Sequence, residues 1–151
     1  MNKIDRLILE LRIPPGDCYL KLCHTINEVN LIMKAAGSKE FVSPVLENVC
    51  FSSSLYGWSF TLLSFAQSYS NYHPSVNAHA FAKRLWGDLY FDQTDRKFKR
   101  NNSGNPENPR SFVEFILQPL YKIYSHVLGS NPEGIVFLCF FFFNGAKNKI
   151  I

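Results

Sequence analysis

The chain has 151 residues, 46% of them apolar and 19% charged, with a formal net charge of +4. That balance excludes intrinsic disorder as the default state and gives length enough for one core or two small ones. The mild positive charge permits an acidic partner such as RNA without requiring one.

Asn2-Lys3-Ile4-Asp5 opens the chain with the N-K-x-D spacing of a guanine-reading box. In that reading Asp5 accepts the paired N–H donors on the Watson–Crick edge of guanine in a two-pronged, charge-assisted contact. Asn2 ties the loop in place and the Lys3 stem lies along the base. The bland reading is a polar turn before a short helix. The first six residues carry no secretory pattern, so the chain is expected inside the cell.

Arg6 to Leu11 is a short apolar-acidic segment, and Pro14-Pro15-Gly16-Asp17 is read as a break behind it. Tyr19, Leu22, Cys23, Ile26, Val29 and Met33 then recur at three- and four-residue spacing, which predicts an amphipathic helix ending near Gly37. A loop through Ser43-Pro44 leads to Asn48–Phe51, read as a short buried strand, with Ser52-Ser53-Ser54 as the loop at its end. Phe60 to Tyr69 and Val76 to Trp86 predict two helices separated by the breaker Tyr72-His73-Pro74. Leu89-Tyr90-Phe91 and Lys97-Phe98-Lys99 predict a hairpin around Asp92 to Asp95, and Asn101 to Pro109 a mobile loop.

The final helix is predicted from Phe112, Phe115, Ile116, Leu120, Ile123, Tyr124 and Val127 on one face, with a kink or break at Pro119. A proline inside a helix removes a donor and crowds the preceding turn at a cost of about 3 kcal/mol. Ile135 to Phe143 is a run of apolar residues too short to span a membrane as a helix, which takes about 20 residues. It is expected to be a sticky strand or an abnormal tail that lowers solubility by pairing with copies of itself.

The four cysteines, Cys18, Cys23, Cys50 and Cys139, form no C-x-x-C pair and lie in apolar surroundings. They are expected to be reduced thiols rather than a disulfide or zinc framework. His73 and His79 lack a third ligand in the pattern, so a metal site is not expected. Lys97, Lys99 and Arg100 beside Phe98 could meet RNA phosphates while the ring stacks on a base, but a solvated hairpin edge protected by lysines is the preferred reading. Trp86 is read as core, and the serines at 52 to 54 lack the Gly-x-Ser-x-Gly elbow of a nucleophile.

Beyond the N-K-x-D box, four blocks in order, NKIDRLILEL from Asn2, NVCFSSSLYGWSFTL from Asn48, FAKRLWGDLYF from Phe81 and RSFVEFILQPLYKIY from Arg110, resemble the translational GTPase family in its elongation factor 2 branch. Their wording is more similar to the spliceosomal GTPases of the U5 small nuclear ribonucleoprotein than to the ribosomal factor. The resemblance runs from Asn2 to about Gly129. It implies an α/β fold: the C-terminal part of a P-loop GTPase domain over residues 1–57, a small inserted helical and hairpin domain over 58–129, and an atypical tail over 130–151.

The resemblance also implies that Asn2, Lys3 and Asp5 form the fourth guanine box and Ser53, Ser54 and Leu55 the fifth, where a backbone N–H meets guanine O6. Serine at the middle position is small and keeps that donor. GTP is the implied cofactor, with Mg2+ only in a full-length protein, and U5 proteins and spliceosomal RNA are the implied partners, in the nucleus. No membrane association or homo-oligomer is implied. The chain lacks the phosphate loop and both switch segments, so it is expected to be a fragment that does not hydrolyse GTP alone. Two alternatives stand beside a splicing GTPase: a ribosome-acting relative, and a docking module for protein or RNA with no nucleotide.

Overall fold

Pro, Gly and apolar spacing cut the chain into short pieces that share one core in the computed structural model, which describes residues 1–100 and 108–130. Helix α1 (Ile4–Leu9) follows Lys3, which sits in the left-handed region at φ 64°. Helix α2 (Pro15–Ala35) starts three residues earlier than the proposed break allowed. Proline at the first helical position loses no hydrogen bond, because that N–H has no intrahelical acceptor, and its fixed φ suits the turn. The break therefore ends at Pro14, and Gly16 and Asp17 belong to the first turn.

Cys18, Tyr19, Leu22 and Ile26 form the buried face of α2, whereas Val29, placed on that face by its spacing, is 41% exposed. The last turns of the helix project beyond the core. Gly37 at φ 79° then closes the helix: its N–H donates to Lys34 O and the Ser38 N–H to Met33 O. A left-handed residue is needed at that position, which is why glycine stops the helix there. Asn30 holds the returning loop by bonding both the N–H and the carbonyl of Val42, at 2.7 and 2.8 Å.

A 3-10 turn, Pro44–Leu46, precedes β1 (Phe51–Ser53), which pairs antiparallel with β2 (Trp58–Phe60). The strand thus runs later than Asn48–Phe51, and Ser52 and Ser53 are strand residues. Its partner decides this, because Phe51 opposite Phe60 and Ser53 opposite Trp58 put all four side chains on the core side. The hairpin straddles the 57/58 boundary implied by the resemblance.

Helix α3 (Leu62–Tyr72) opens with a reciprocal cap, in which Thr61 Oγ1 accepts from the Ser64 N–H and Ser64 Oγ from the Thr61 N–H. Helix α4 (Ala78–Ala82) is capped by Asn77 but ends short of Trp86. There the bonding tightens to three-residue turns, Arg84 N to Phe81 O and Leu85 N to Ala82 O. Strands β3 (Tyr90–Asp92) and β4 (Lys97–Lys99) form the expected antiparallel hairpin. The expected mobile loop, Asn101 to Pro109, lies mostly outside the described residues, as does the tail from 131.

Pro119 exerts its effect one turn upstream. Residues Val113–Leu117 form a π-turn, with the Gln118 N–H reaching back to Val113 O, and α5 (Gln118–Ser130) begins just beyond it. The proline then sits in a first helical turn, where its missing donor leaves nothing unpaired. The wide turn keeps Phe112, Ile116, Leu117, Leu120 and Tyr124 buried.

One continuous cluster of buried residues runs from Ile4 to Tyr124, so the two implied domains share a core. Phe112, 1% exposed, has its ring centroid 5.6 Å from that of Tyr19, 5.2 Å from Phe51 and 5.0 Å from Trp86. Replacing Phe112 by Ala removes the contact shared by α2, β1 and the turn after α4. We expect a loss of about 3–5 kcal/mol in urea-induced unfolding followed by circular dichroism.

Candidate guanine-reading site

The two loops that the motif reading assigns to guanine meet in the folded chain. Met1 lies alongside β1, its nitrogen donating to Cys50 O at 2.6 Å and its carbonyl accepting from the Ser52 N–H at 2.8 Å. This alternation is that of a parallel strand pair, and it sets Asn2 beside the end of β1. Asn2 Oδ1 accepts from the Lys3 N–H at 2.7 Å and the Ser54 N–H at 3.1 Å, and Asn2 Nδ2 donates to Ser54 Oγ at 2.7 Å. The carboxamide is a clasp between the two sequence boxes, which are about 50 residues apart.

Ser53 is fully buried and its Oγ accepts from the Tyr56 N–H at 3.3 Å, while Ser54 and Lys3 are exposed and Leu55 is 78% exposed. The Ser54 N–H, the donor that the resemblance assigns to guanine O6, is held by Asn2. Asp5 is only 4% exposed, and its Oδ1 is buried without a hydrogen-bond partner. An ionised oxygen in that position is costly unless a donor is brought to it.

The environment of Asp5 includes Tyr124 of α5, a residue that sequence spacing placed on the core face without assigning it a polar role. Its hydroxyl accepts from Trp58 Nε1 at 2.8 Å. Burial pushes the Tyr124 phenol up to about 12, the negative charge of Asp5 adds to that, and hydrogen bonds from Trp58 and Ser53 oppose it. No sequence signal could have paired Trp58 with Tyr124, because helical periodicity orients a face but does not select a partner 66 residues away.

The other sequence candidates have structural employment. Phe98 faces inward, against Phe91 at 5.1 Å and Phe81 and Phe115 at 6.1 Å, so it is no exposed stacking platform. Lys99 Nζ bonds both Asp92 Oδ2 and Asp95 Oδ2 at 2.7 Å, which fits the hairpin-edge reading. Trp86 packs on Tyr19, Phe51 and Phe112, as a core residue should. His73 packs against Tyr69 in a tilted arrangement, with centroids 4.5 Å apart. Cys18, Cys23 and Cys50 are free thiols, and burial raises the first to about 11; Cys139 lies outside the described residues.

Two predictions follow from these geometries. Asn2→Ala removes the acceptor of two backbone N–H groups and should cost about 1–2 kcal/mol by urea unfolding, with faster hydrogen exchange at the Ser54 amide. Asp92 is held down to about 2 by Lys99 first and then by the Thr94 and Asp95 amides. Its folded value is below the ordinary carboxylate value of 3.8, so the hairpin's support is present above the ordinary value and fades as pH falls toward 2. An NMR titration should place the Asp92 carboxyl transition below that of an unpaired aspartate, and Lys99→Ala should move it back up.

The chain is similar to three curated splicing proteins across most of its length. It is 48% identical over 141 residues to the 110 kDa U5 small nuclear ribonucleoprotein component CLO of Arabidopsis thaliana, covering 89% of this chain and 14% of that protein. It is 49% identical over 135 residues to the pre-mRNA-splicing factor cwf10 of Schizosaccharomyces pombe, covering 88% and 14%. With the pre-mRNA-splicing factor SNU114 of Saccharomyces cerevisiae it shares 41% identity over 134 residues, covering 88% and 13%. No protein-family model matches the chain. At these identities the chain belongs to the family of these U5 small nuclear ribonucleoprotein components and pre-mRNA-splicing factors, and it spans about 14% of the length of the first two.

Proposed function

We propose that this chain carries the guanine-recognising end of a GTP site in a protein of pre-mRNA splicing. The observation that carries the reading is the pairing of the Asn2 clasp with the unpartnered Asp5 oxygen. Guanine offers two parallel N–H donors on one edge, and a carboxylate lacking a donor is the complementary group. Residues 1–57 would supply the guanine side, Lys3 and Leu55 would flank the base, and residues 58–129 would brace the site through the shared core. For guanine to reach Asp5, the residues that enclose Oδ1 must move aside, since that oxygen is buried. Phosphate and Mg2+ binding would fall to parts of a full-length relative outside the matched stretch.

The names of the relatives support a nuclear role beside U5 proteins and spliceosomal RNA rather than a role in translation. The enclosure of Asp5 and the capture of the Ser54 N–H by Asn2 favour a second reading, in which these residues hold a docking module together and meet no nucleotide.

The test places residues 2–129 of this chain in the full-length fission-yeast splicing factor, in place of its matching stretch, and measures binding of fluorescent nucleotides. Asp5→Asn should weaken GTP about tenfold or more and favour xanthosine triphosphate, whose 2-oxo group can accept from the new amide. An unchanged preference for GTP would assign the module reading instead.

A further inference from the structure

The turn from Ser54 to Gly57 connects β1 to β2 and carries the backbone N–H that the guanine reading assigns to O6. Two separate sets of contacts hold it. On one side Asn2 accepts from the Ser54 N–H at 3.1 Å and donates to Ser54 Oγ at 2.7 Å. On the core side Ser53 Oγ accepts from the Tyr56 N–H at 3.3 Å, and Ser53 stands opposite Trp58 in the last pair of the ladder.

Tyr124 of α5 completes the hold on the core side. Its hydroxyl accepts from Trp58 Nε1 at 2.8 Å, and its ring meets the Tyr56 ring edge-on, with centroids 5.1 Å apart and planes at 69°. Tyr124, Trp58 and Ser53 are all buried, and a hydrogen bond made away from water is stronger than one at the surface. Contacts to Tyr56 and Trp58 grip the turn near its far end, while Asn2 grips it at Ser54.

The two holds differ in what an arriving base does to them. The Ser54 N–H carries a single proton, so donating to guanine O6 means giving up or sharing the Asn2 acceptor. The Asn2 hold then weakens at the moment when the direction of the N–H matters, because such a bond loses strength steeply as it bends away from linear. The hold on the core side includes none of the groups assigned to the base and stays intact.

We propose that Tyr124 is a positioning residue for guanine O6, aiming the turn that carries the Ser54 N–H through its contacts with Trp58 and Tyr56. A helix of the 58–129 stretch thereby sets specificity at one position on the edge of the base. This rests on the guanine reading above and adds to it a division of labour. Asp5 belongs to α1, which is anchored in the core by Ile4 and Ile8, so its alignment with N1 and the 2-amino group does not pass through the turn. Supporting groups fixed by packing are what keep a binding group within the narrow range of productive directions.

The test uses the full-length fission-yeast factor carrying residues 2–129 of this chain and compares GTP with two analogues. In 6-thioguanosine triphosphate a sulfur, a weak acceptor, replaces O6; inosine triphosphate keeps O6 and N1–H but lacks the 2-amino group. Tyr124→Phe keeps the ring and removes the acceptor of Trp58 Nε1, and Tyr124→Leu removes the ring as well. The preference for GTP over the thio analogue should fall about threefold or more in Tyr124→Phe and further in Tyr124→Leu, while the preference over inosine triphosphate stays within about twofold. In the present chain without nucleotide, Tyr124→Phe should quicken hydrogen exchange at the Ser54 amide severalfold and leave the Ala66 amide of α3 unchanged, a measurement that stands even where Tyr124→Leu fails to fold. Both preferences falling together, or Ala66 exchanging faster in step with Ser54, would reduce Tyr124 to a packing residue and overturn the proposal. Preferences unmoved by either variant, in a factor whose choice of GTP is lost in Asp5→Asn, would overturn the positioning role alone. A choice of GTP that survives Asp5→Asn would overturn the guanine reading and this inference with it.

Discussion

The ring of Phe112 joins pieces of this fold that lie far apart in the sequence. Tyr19 belongs to a helix, Phe51 to a strand and Trp86 to the irregular turn after α4, yet all three ring centroids lie within 5.6 Å of that of Phe112. Short elements like these cannot stand alone: a two-stranded hairpin is marginal in water, and a five-residue helix is little more than a capped turn. Their stability comes from a shared apolar surface. Ser111, next to Phe112 and fully buried, adds a polar anchor by donating from Oγ to Arg84 O at 2.6 Å and from its N–H to Leu89 O at 2.7 Å.

A second aromatic group, centred on Phe115, uses the opposite side of the same π-turn. Its centroid lies 5.2 Å from those of Phe81 and Phe91 and 6.0 Å from that of Tyr69, which draws the β3–β4 hairpin and α3 onto one segment. The widened turn that accommodates Pro119 thus presents Phe112 to one cluster and Phe115 to another. This geometry also turns Phe98 inward, so the basic residues around it cap a packed hairpin.

The candidate site depends on this packing at one remove. Tyr124 descends from the same helix to meet Trp58, with Ser53 and the charge of Asp5 close by. Side chains from α1, the β1–β2 hairpin and α5 therefore share one buried polar neighbourhood. Residues that the resemblance divides between two domains act here as one unit, because a buried indole N–H or carboxylate is tolerated only where its neighbours are fixed.

The sequence by itself determined the elements whose signals are local. Spacing announced α2 and α5, Gly37 announced a helix end through the conformation only glycine adopts cheaply, and the hairpin at Asp92 to Asp95 was legible in its turn residues. The N-K-x-D and Ser53-Ser54-Leu55 boxes were legible as strings. Tertiary structure decided what local rules leave open: where β1 starts, since that follows from opposing Phe60 and Trp58; where α4 stops; and that Pro119 is absorbed by a π-turn and not a break. It also decided that Asn2 clasps Ser54 and that Tyr124 stands over Trp58. Contacts between residues 52 or 66 positions apart have no local signature, because loop closure lets any distant pair meet and only complementarity of the whole core selects which pair does.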